Sequence, residues 1–134
     1  MGVTDYEKSN YCLLVFRNHT GKCLHLDCGS TSNGTKLHLW DILDESHPDF
    51  LNQVWIIDGH LIRSAKAPRQ VIHLESNWIR PSHCPGTYIH LWSEVESGHK
   101  DESNQEWIIT GDGAIVCRSK PEWGWNAEDW GQLV

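Results

Sequence analysis

The sequence NQVWII at residues 52–57 recurs as NQEWII at residues 104–109, and these two Gln-x-Trp segments decide the fold. Each copy is preceded by the same two segments in the same order. The first pair reads CLHLD (23–27) and KLHLW (36–40), and the second reads VIHLE (71–75) and YIHLW (88–92). Three segments that recur in one order indicate an internal repeat of about 50 residues.

The segments before each Gln-x-Trp have the period of a β-strand. Leu24 and Leu26 alternate with polar residues, as do Leu37 and Leu39. Because successive side chains of a strand point to opposite faces, the leucines are predicted to share an apolar face and the polar residues the other face.

The stretch between these strands is predicted to be a hairpin turn. Residues 28–35 are rich in turn formers and include Asn33-Gly34, a dipeptide typical of hairpins. One unit is therefore a lead strand (about 11–17), a hairpin and a Gln-x-Trp strand. The acidic segment 41–50 contains Pro48 and is predicted to be a loop, and no segment predicts a helix.

A third unit begins but is shorter than the other two. IVCRS at 115–119 resembles LIRS at 61–64, and WNAE at 125–128 falls where LHLD and IHLE fell, yet no third Gln-x-Trp occurs. A sheet without its last strand exposes unpaired N–H and C=O groups. We expect the N-terminal segment, a second copy of the chain or further residues to cover that edge, and a homodimer or strand exchange is one prediction.

These motifs resemble those of the ricin-B-type β-trefoil lectins over roughly residues 11–134. The resemblance implies an all-β fold, a β-trefoil of three repeats whose third repeat is short or incomplete. It also implies a single domain over 1–134 with lobes of about 11–57, 58–109 and 110–134. The Gln-x-Trp tryptophans, Trp55 and Trp107, are then core residues. The chain is similar to small intracellular members of this family from fungi, in which the function is carbohydrate binding.

The resemblance also assigns roles to individual positions. Trp40 and Trp92 match the family's stacking position, and Asn52 and Asn104 match its polar partner. Galactose-binding relatives have Asp at the positions of His25, His73 and Asn126, and often Gln at those of His38 and His90. The sequence therefore does not select galactose over mannose-, GalNAc- or GlcNAc-type sugars.

A sugar site needs an aromatic face for the pyranose ring and a few fixed hydrogen-bonding groups for its hydroxyls. On one hairpin these are predicted to be His25, Asp27, His38 and Trp40, with Asn52. The second hairpin repeats them as His73, Glu75, His90 and Trp92, with Asn104. The third unit contributes Trp123, Asn126 and Glu128.

Other interpretations of these residues stay open. Trp40 and Trp92 could instead fold into the core beneath a solvated strand face. The paired histidines could chelate Zn²⁺ or Ni²⁺, although tight sites use three or four ligands, and no metal or other cofactor is predicted. In the third unit the tryptophans either form a sugar platform or plug the barrel, and burial is favoured for Trp125.

Composition limits the partners. The 134 residues carry a net charge of −7, and no Lys or Arg adjoins another, so nucleic acid and anionic membranes are not expected partners. No apolar run approaches the roughly 18 residues of a membrane span, and residues 1–10 lack a signal-like apolar stretch. The five cysteines form no CxxC pair. Reduced thiols in a cytoplasmic protein are the expectation.

No catalytic motif is present, and the chain is predicted not to be an enzyme. The alternative to a lectin is a protease inhibitor or another protein-binding β-trefoil that acts through loops. Residues 41–51 and 77–87 are long enough for that role. The duplicated His and Trp positions favour the lectin, because an inhibitor does not need them twice.

Overall fold

The computed structural model describes residues 10–17, 19–75, 89–126 and 132–133, with the backbone alone for residues 120, 122, 123, 126, 132 and 133. The strands are β1 (Tyr11–Cys12), β2 (Val15–Phe16), β3 (His19–Leu26), β4 (Leu37–Asp41), β5 (Trp55–Asp58), β6 (Leu61–Ser64), β7 (Gln70–Leu74), β8 (Ile89–Ser93), β9 (Trp107–Ile109), β10 (Ile115–Cys117), β11 (Lys120–Asn126) and β12 (Gln132–Leu133). Short 3-10 helices span Asp27–Gly29, Phe50–Gln53 and Glu102–Gln105.

The strands form three antiparallel sheets that follow the repeat. Their orders are β1-β5-β6-β7-β8, β12-β11-β10-β9 and β2-β3-β4. In each of the first two units the segments predicted as a hairpin pair in the same register, so that His25 lies opposite His38 and His73 opposite His90. The lead strand of the first unit is broken into β1 and β2 rather than continuous over 11–17.

The core forms on the leucine side of these strands, as the alternation predicted. Leu24, Leu26 and Leu37 are buried, and so are their counterparts Ile72, Leu74 and Ile89. The Gln-x-Trp tryptophans join this cluster, with Trp55 0% and Trp107 2% exposed. Their indole Nε1 atoms donate to the carbonyls of Leu24 (3.2 Å) and Ile72 (3.0 Å), which confirms that they are core residues.

The glutamine of each Gln-x-Trp motif fastens the loop that follows the hairpin. Gln53 is buried, donates from Nε2 to the Asp41 carbonyl (2.7 Å) and accepts from the Leu43 N–H (3.1 Å). Gln105 makes the same two bonds with the Ser93 carbonyl (2.9 Å) and the Val95 N–H (3.0 Å). A buried amide that is hydrogen-bonded at both ends thus fixes the chain where it leaves the hairpin.

The architecture is an all-β β-trefoil, with a third repeat shorter than the other two, as predicted. In that repeat β10, β11 and β12 are present, and Trp125 stands where Leu24 and Ile72 stand in the other units. Trp125 packs on the core, stacking on Phe16 (6.2 Å between ring centroids) and meeting Trp107 edge-on (5.5 Å). The lobe boundaries at 57 and 109 remain a prediction. Within the described ranges, no helix is long and apolar enough to cross a membrane.

Candidate functional site

The first hairpin carries a cluster of three aromatic side chains, His25, His38 and Trp40. The two imidazoles stack nearly parallel, with centroids 5.3 Å apart and planes 9° from each other. The Trp40 ring lies 6.0 Å from His25 and 5.6 Å from His38. We call this cluster the first histidine–tryptophan triad.

The second hairpin repeats the arrangement with His73, His90 and Trp92, the second triad. Its imidazoles lie 5.4 Å apart, and the Trp92 ring lies 5.9 Å from His73 and 5.4 Å from His90. Cross-strand pairing brings each pair of histidines face to face, since directly opposed residues have Cβ atoms about 5 Å apart. The tryptophan is two residues beyond the second histidine and therefore shares its face.

Exposure increases across each triad from the first histidine to the tryptophan. His25 and His73 are buried, and His38 and His90 are half-buried. Trp40 is 51% and Trp92 37% exposed. Since both indoles reach solvent, the structure does not place them in the core, which was the alternative left open by the sequence. The imidazoles beneath them fix the position of each indole.

A carboxylate accompanies each triad. Asp27, at the start of the 3-10 helix after β3, has its Oδ1 atom 3.5 Å from Nδ1 of His38. Glu75 follows β7 directly, and its charge acts on His90 to raise the pKa against the larger effect of burial. Each hairpin thus combines an indole, two imidazoles and a carboxylate, the groups predicted to hold a sugar.

A cleft of about 500 Å³ lies between the two hairpins. Asp27 and His38 line one side, Glu75 and His90 the other, and Lys36 also borders it. The hairpins are joined at this point by hydrogen bonds from Gly34 N–H to the Leu91 carbonyl (2.7 Å) and from Leu91 N–H to the Thr35 carbonyl (2.9 Å). His38 and His90 therefore belong both to their triads and to the cleft.

Burial keeps these imidazoles neutral. Desolvation lowers the pKa of His25, His38 and His90 below the usual value, and it lowers the pKa of His73 to about 4. The hydrogen bonds of His73 also require a neutral ring. The oriented amide of Gln105 points its Nε2–H at Nδ1 of His73 (2.9 Å), so that Nδ1 accepts and carries no proton.

Within the two triads, Nδ1 of His25 and Nε2 of His90 are buried and have no hydrogen-bond partner among the described residues. Leaving a buried polar atom unsatisfied costs about 1–3 kcal/mol. Such an atom next to an exposed indole or the cleft is a position where a ligand hydroxyl or a water molecule can recover that cost.

The predicted polar partners Asn52 and Asn104 are both buried in the 3-10 helices before the Gln-x-Trp strands. Asn52 accepts at Oδ1 from Nζ of Lys66 (3.0 Å), and the same ammonium donates to the Gly29 carbonyl (2.7 Å). Lys66 thereby ties the Asp27 turn to the second unit. Sequence reasoning missed Lys66, because its contacts with Asn52 and Gly29 depend on how the first unit folds against the second.

The predicted third-unit residues are not brought into a described site. Trp123 and Asn126 lie in β11, where the backbone alone is described, and Glu128 lies outside the described residues. For metal binding, no three His, Cys, Asp or Glu side chains come together as possible ligands in the described part of the chain.

Comparison with solved structures identifies the fold. The chain superposes on the agglutinin from Abrus precatorius with a TM-score of 0.68 and 18% identity, over 92% of this chain and 42% of that one. It matches the mdaA-1 domain with a TM-score of 0.68 and 18% identity, over 92% and 75% of the two chains. It matches a mutant C-terminal domain of an earthworm lectin, solved in complex with 6'-sialyllactose, with a TM-score of 0.59 and 15% identity, over 92% and 95%.

These likenesses support the all-β β-trefoil architecture described above. The chain spans less than half of the agglutinin chain. No family model and no curated protein matches the sequence. At identities below 20% the likeness concerns the fold, and function has to be argued from the site.

Proposed function

We propose that the protein is a lectin that binds glycans at the two histidine–tryptophan triads and has no catalytic activity of its own. The observation that supports this most directly is the repetition of one arrangement. Two hairpins each hold an exposed indole next to one buried and one half-buried imidazole, with a carboxylate alongside. A sugar ring stacks its apolar face on an indole, and its hydroxyls bond to imidazole and carboxylate groups.

The charges near the cleft favour neutral sugars. Asp27 and Glu75 line opposite sides of the cleft, and Lys36 also borders it. The whole chain carries a net charge of −7. A carboxylate accepts hydrogen bonds from hydroxyls but repels a sialic acid or sulfate group. We therefore expect neutral glycans to bind more tightly than anionic ones, although one structural neighbour was solved with 6'-sialyllactose.

Two triads on one chain also suggest how weak sites give useful binding. Each triad offers one partly exposed indole, and a single stacked sugar makes few contacts there. Two sites on a rigid scaffold that engage one branched or surface-attached glycan raise the effective concentration of the second contact. We expect multivalent glycans to bind more tightly than the matching monosaccharides.

A glycan array with variants tests the proposal. Wild-type protein should bind a set of neutral glycans, and the double variant Trp40→Ala/Trp92→Ala should lose at least about tenfold in affinity, since each indole supplies a stacking face. Titration calorimetry with the best array ligand measures the loss. Ile42→Ala is the matched control, because Ile42 is also an exposed apolar residue but lies outside both triads.

A protease inhibitor that acts through a loop would respond to these variants in the opposite way. Loop 41–51 carries exposed Ile42 and Leu51, whereas segment 77–87 lies outside the described residues. Protease inhibition that is lost in Ile42→Ala/Leu51→Ala and kept in Trp40→Ala/Trp92→Ala, with no array signal, would replace the lectin proposal.

A further inference from the structure

The cleft between the two hairpins connects the two triads. Its lining includes His38 and His90, one from each triad. Each of these imidazoles also packs against the exposed indole of its own triad, Trp40 at 5.6 Å and Trp92 at 5.4 Å between ring centroids. A path from one indole to the other therefore runs over an imidazole, across the cleft and over the second imidazole.

Backbone hydrogen bonds hold the turn of the first hairpin against the second hairpin. Gly34 N–H donates to the Leu91 carbonyl, and Leu91 N–H donates to the Thr35 carbonyl. Next to these bonds, Lys36 pairs with His90 as an antiparallel β-bridge. The two sides of the cleft are thus joined along one edge by main-chain contacts.

The side chain of Asn33 adds a second set of bonds between the hairpins. Its Oδ1 atom accepts from Nε2 of Gln70 (2.8 Å) and from both the N–H (2.9 Å) and the hydroxyl (3.0 Å) of Ser93. The Gln70 amide also donates to the Thr31 carbonyl (2.9 Å). Because the hairpins are fastened in this way, a ligand that contacts both binds without the cost of ordering them.

The lining of the cleft combines the surfaces that a sugar ring recognises. Leu37 and Ile89 are core residues that present apolar surface to it. Asp27 and Glu75 supply carboxylates, which accept hydrogen bonds from hydroxyls. The volume of about 500 Å³ lies within the roughly 300–1,000 Å³ of small-molecule sites.

His90 also contributes a polar atom that lacks a partner. Its Nε2 atom is buried and has no hydrogen-bond partner among the described residues. A neutral imidazole nitrogen either donates to or accepts from a hydroxyl, depending on the tautomer. A sugar hydroxyl in the cleft would therefore recover the cost of leaving this atom unsatisfied.

We propose that the two triads and the cleft form one extended site for a linear, neutral oligosaccharide of at least three sugar units. One ring stacks on Trp40 and another on Trp92. At least one ring between them lies in the cleft, where its hydroxyls bond to the carboxylates and to His90. This inference rests on the proposed lectin function and specifies its ligand. The alternative is two separate sites that each take a sugar of their own.

Titration calorimetry of the full chain with oligosaccharides of increasing length tests the extended site. The probes are the mono- to tetrasaccharides of four linear series, built from galactose, mannose, N-acetylgalactosamine or N-acetylglucosamine. In a series that binds, one tetrasaccharide should bind per chain. Its affinity should be at least about tenfold higher than that of the monosaccharide, because the second indole is engaged within the same molecule.

Single tryptophan variants distinguish one extended site from two separate sites. Trp40→Ala and Trp92→Ala should each weaken tetrasaccharide binding at least about tenfold, since each removes one stacking face of the same site. With two separate sites, either variant would remove one bound tetrasaccharide and leave the other at wild-type affinity. Ile42→Ala is the matched control, because Ile42 is exposed and apolar but lies outside the triads and the cleft lining.

Amide NMR spectra show where the oligosaccharide lies. The tetrasaccharide should shift the amide signals of Gly34, Leu37 and Ile89, which line the cleft. The signal of Gly113 should not move, since Gly113 lines a different groove, between residues 13–17 and 113–115.

Three results would overturn the extended site and leave the lectin function intact: two tetrasaccharides bound per chain, equal affinities for the mono- and tetrasaccharide, or unmoved amide signals at the cleft. If none of the four series binds, the extended site is overturned as well. The glycan array then decides whether the lectin function fails with it.

Discussion

Trp55→Ala should lower the free energy of unfolding by about 3–5 kcal/mol, the range for removing a large aromatic side chain from a core. Trp55 is fully buried, and its indole contributes both apolar contacts and a hydrogen bond to the Leu24 carbonyl. The variant leaves a cavity beneath the first hairpin and a carbonyl without its partner. Urea unfolding followed by circular dichroism measures the change.

Trp40→Ala is the matched control for this prediction. It removes the same side chain from an exposed position and should change the free energy of unfolding by no more than about 1 kcal/mol. Trp107→Ala should resemble Trp55→Ala, since Trp107 is 2% exposed and donates to the Ile72 carbonyl. Equal losses for Trp40→Ala and Trp55→Ala would contradict the assignment of one indole to the surface and the other to the core.

The contrast between these tryptophans shows what the sequence determines. Alternation in residues 36–40 and 88–92 places the leucines on one face and the tryptophans on the other, and two copies of the pattern specify the hairpins. The structure confirms both features. The tryptophan of the Gln-x-Trp segment could be assigned to the core only through the resemblance to a fold family, because its local sequence is apolar on both faces.

The depth of a residue on its face is harder to predict. His25 and His38 were predicted to share a face, which they do, yet one is buried and the other half-buried. Their depth depends on what covers the strand from elsewhere in the chain. Gln105, which bonds to His73 from 32 positions away, and Lys66, which bonds to Asn52, are contacts of this kind.

The third unit marks a similar limit. The sequence predicted a short third repeat, since a third Gln-x-Trp does not occur. It did not predict the groove between residues 13–17 and 113–115, or that the buried indole N–H of Trp125 has no hydrogen-bond partner within the described part of the chain. Strand register had to be known before equivalent positions could be compared.

The buried imidazoles should make the protein sensitive to acid. Burial lowers the pKa of His73 to about 4, with a smaller contribution from the nearby His90. The unfolded chain has the ordinary value near 6.5, so it binds more protons than the folded chain between these two values. Stability is therefore fully present above about pH 6.5 and is lost as the pH falls towards about 4.

We expect the free energy of unfolding to fall by about 2–3 kcal/mol from His73 alone between about pH 7 and about pH 4.5. His25, His38 and His90 add to the loss in the same direction, since burial lowers the pKa of each. Protonating Nδ1 of His73 would also set it against the Gln105 amide hydrogen. Urea unfolding at a series of pH values measures the slope.

His73→Phe should flatten this slope, because phenylalanine keeps a ring in the stack and takes up no proton. Some slope remains, owing to the other three triad histidines. His60→Phe is the control, since His60 is exposed, and it should keep the wild-type slope. A wild-type curve that is level over this range, or a His73→Phe curve as steep as the wild type, would show that His73 is not held neutral by burial.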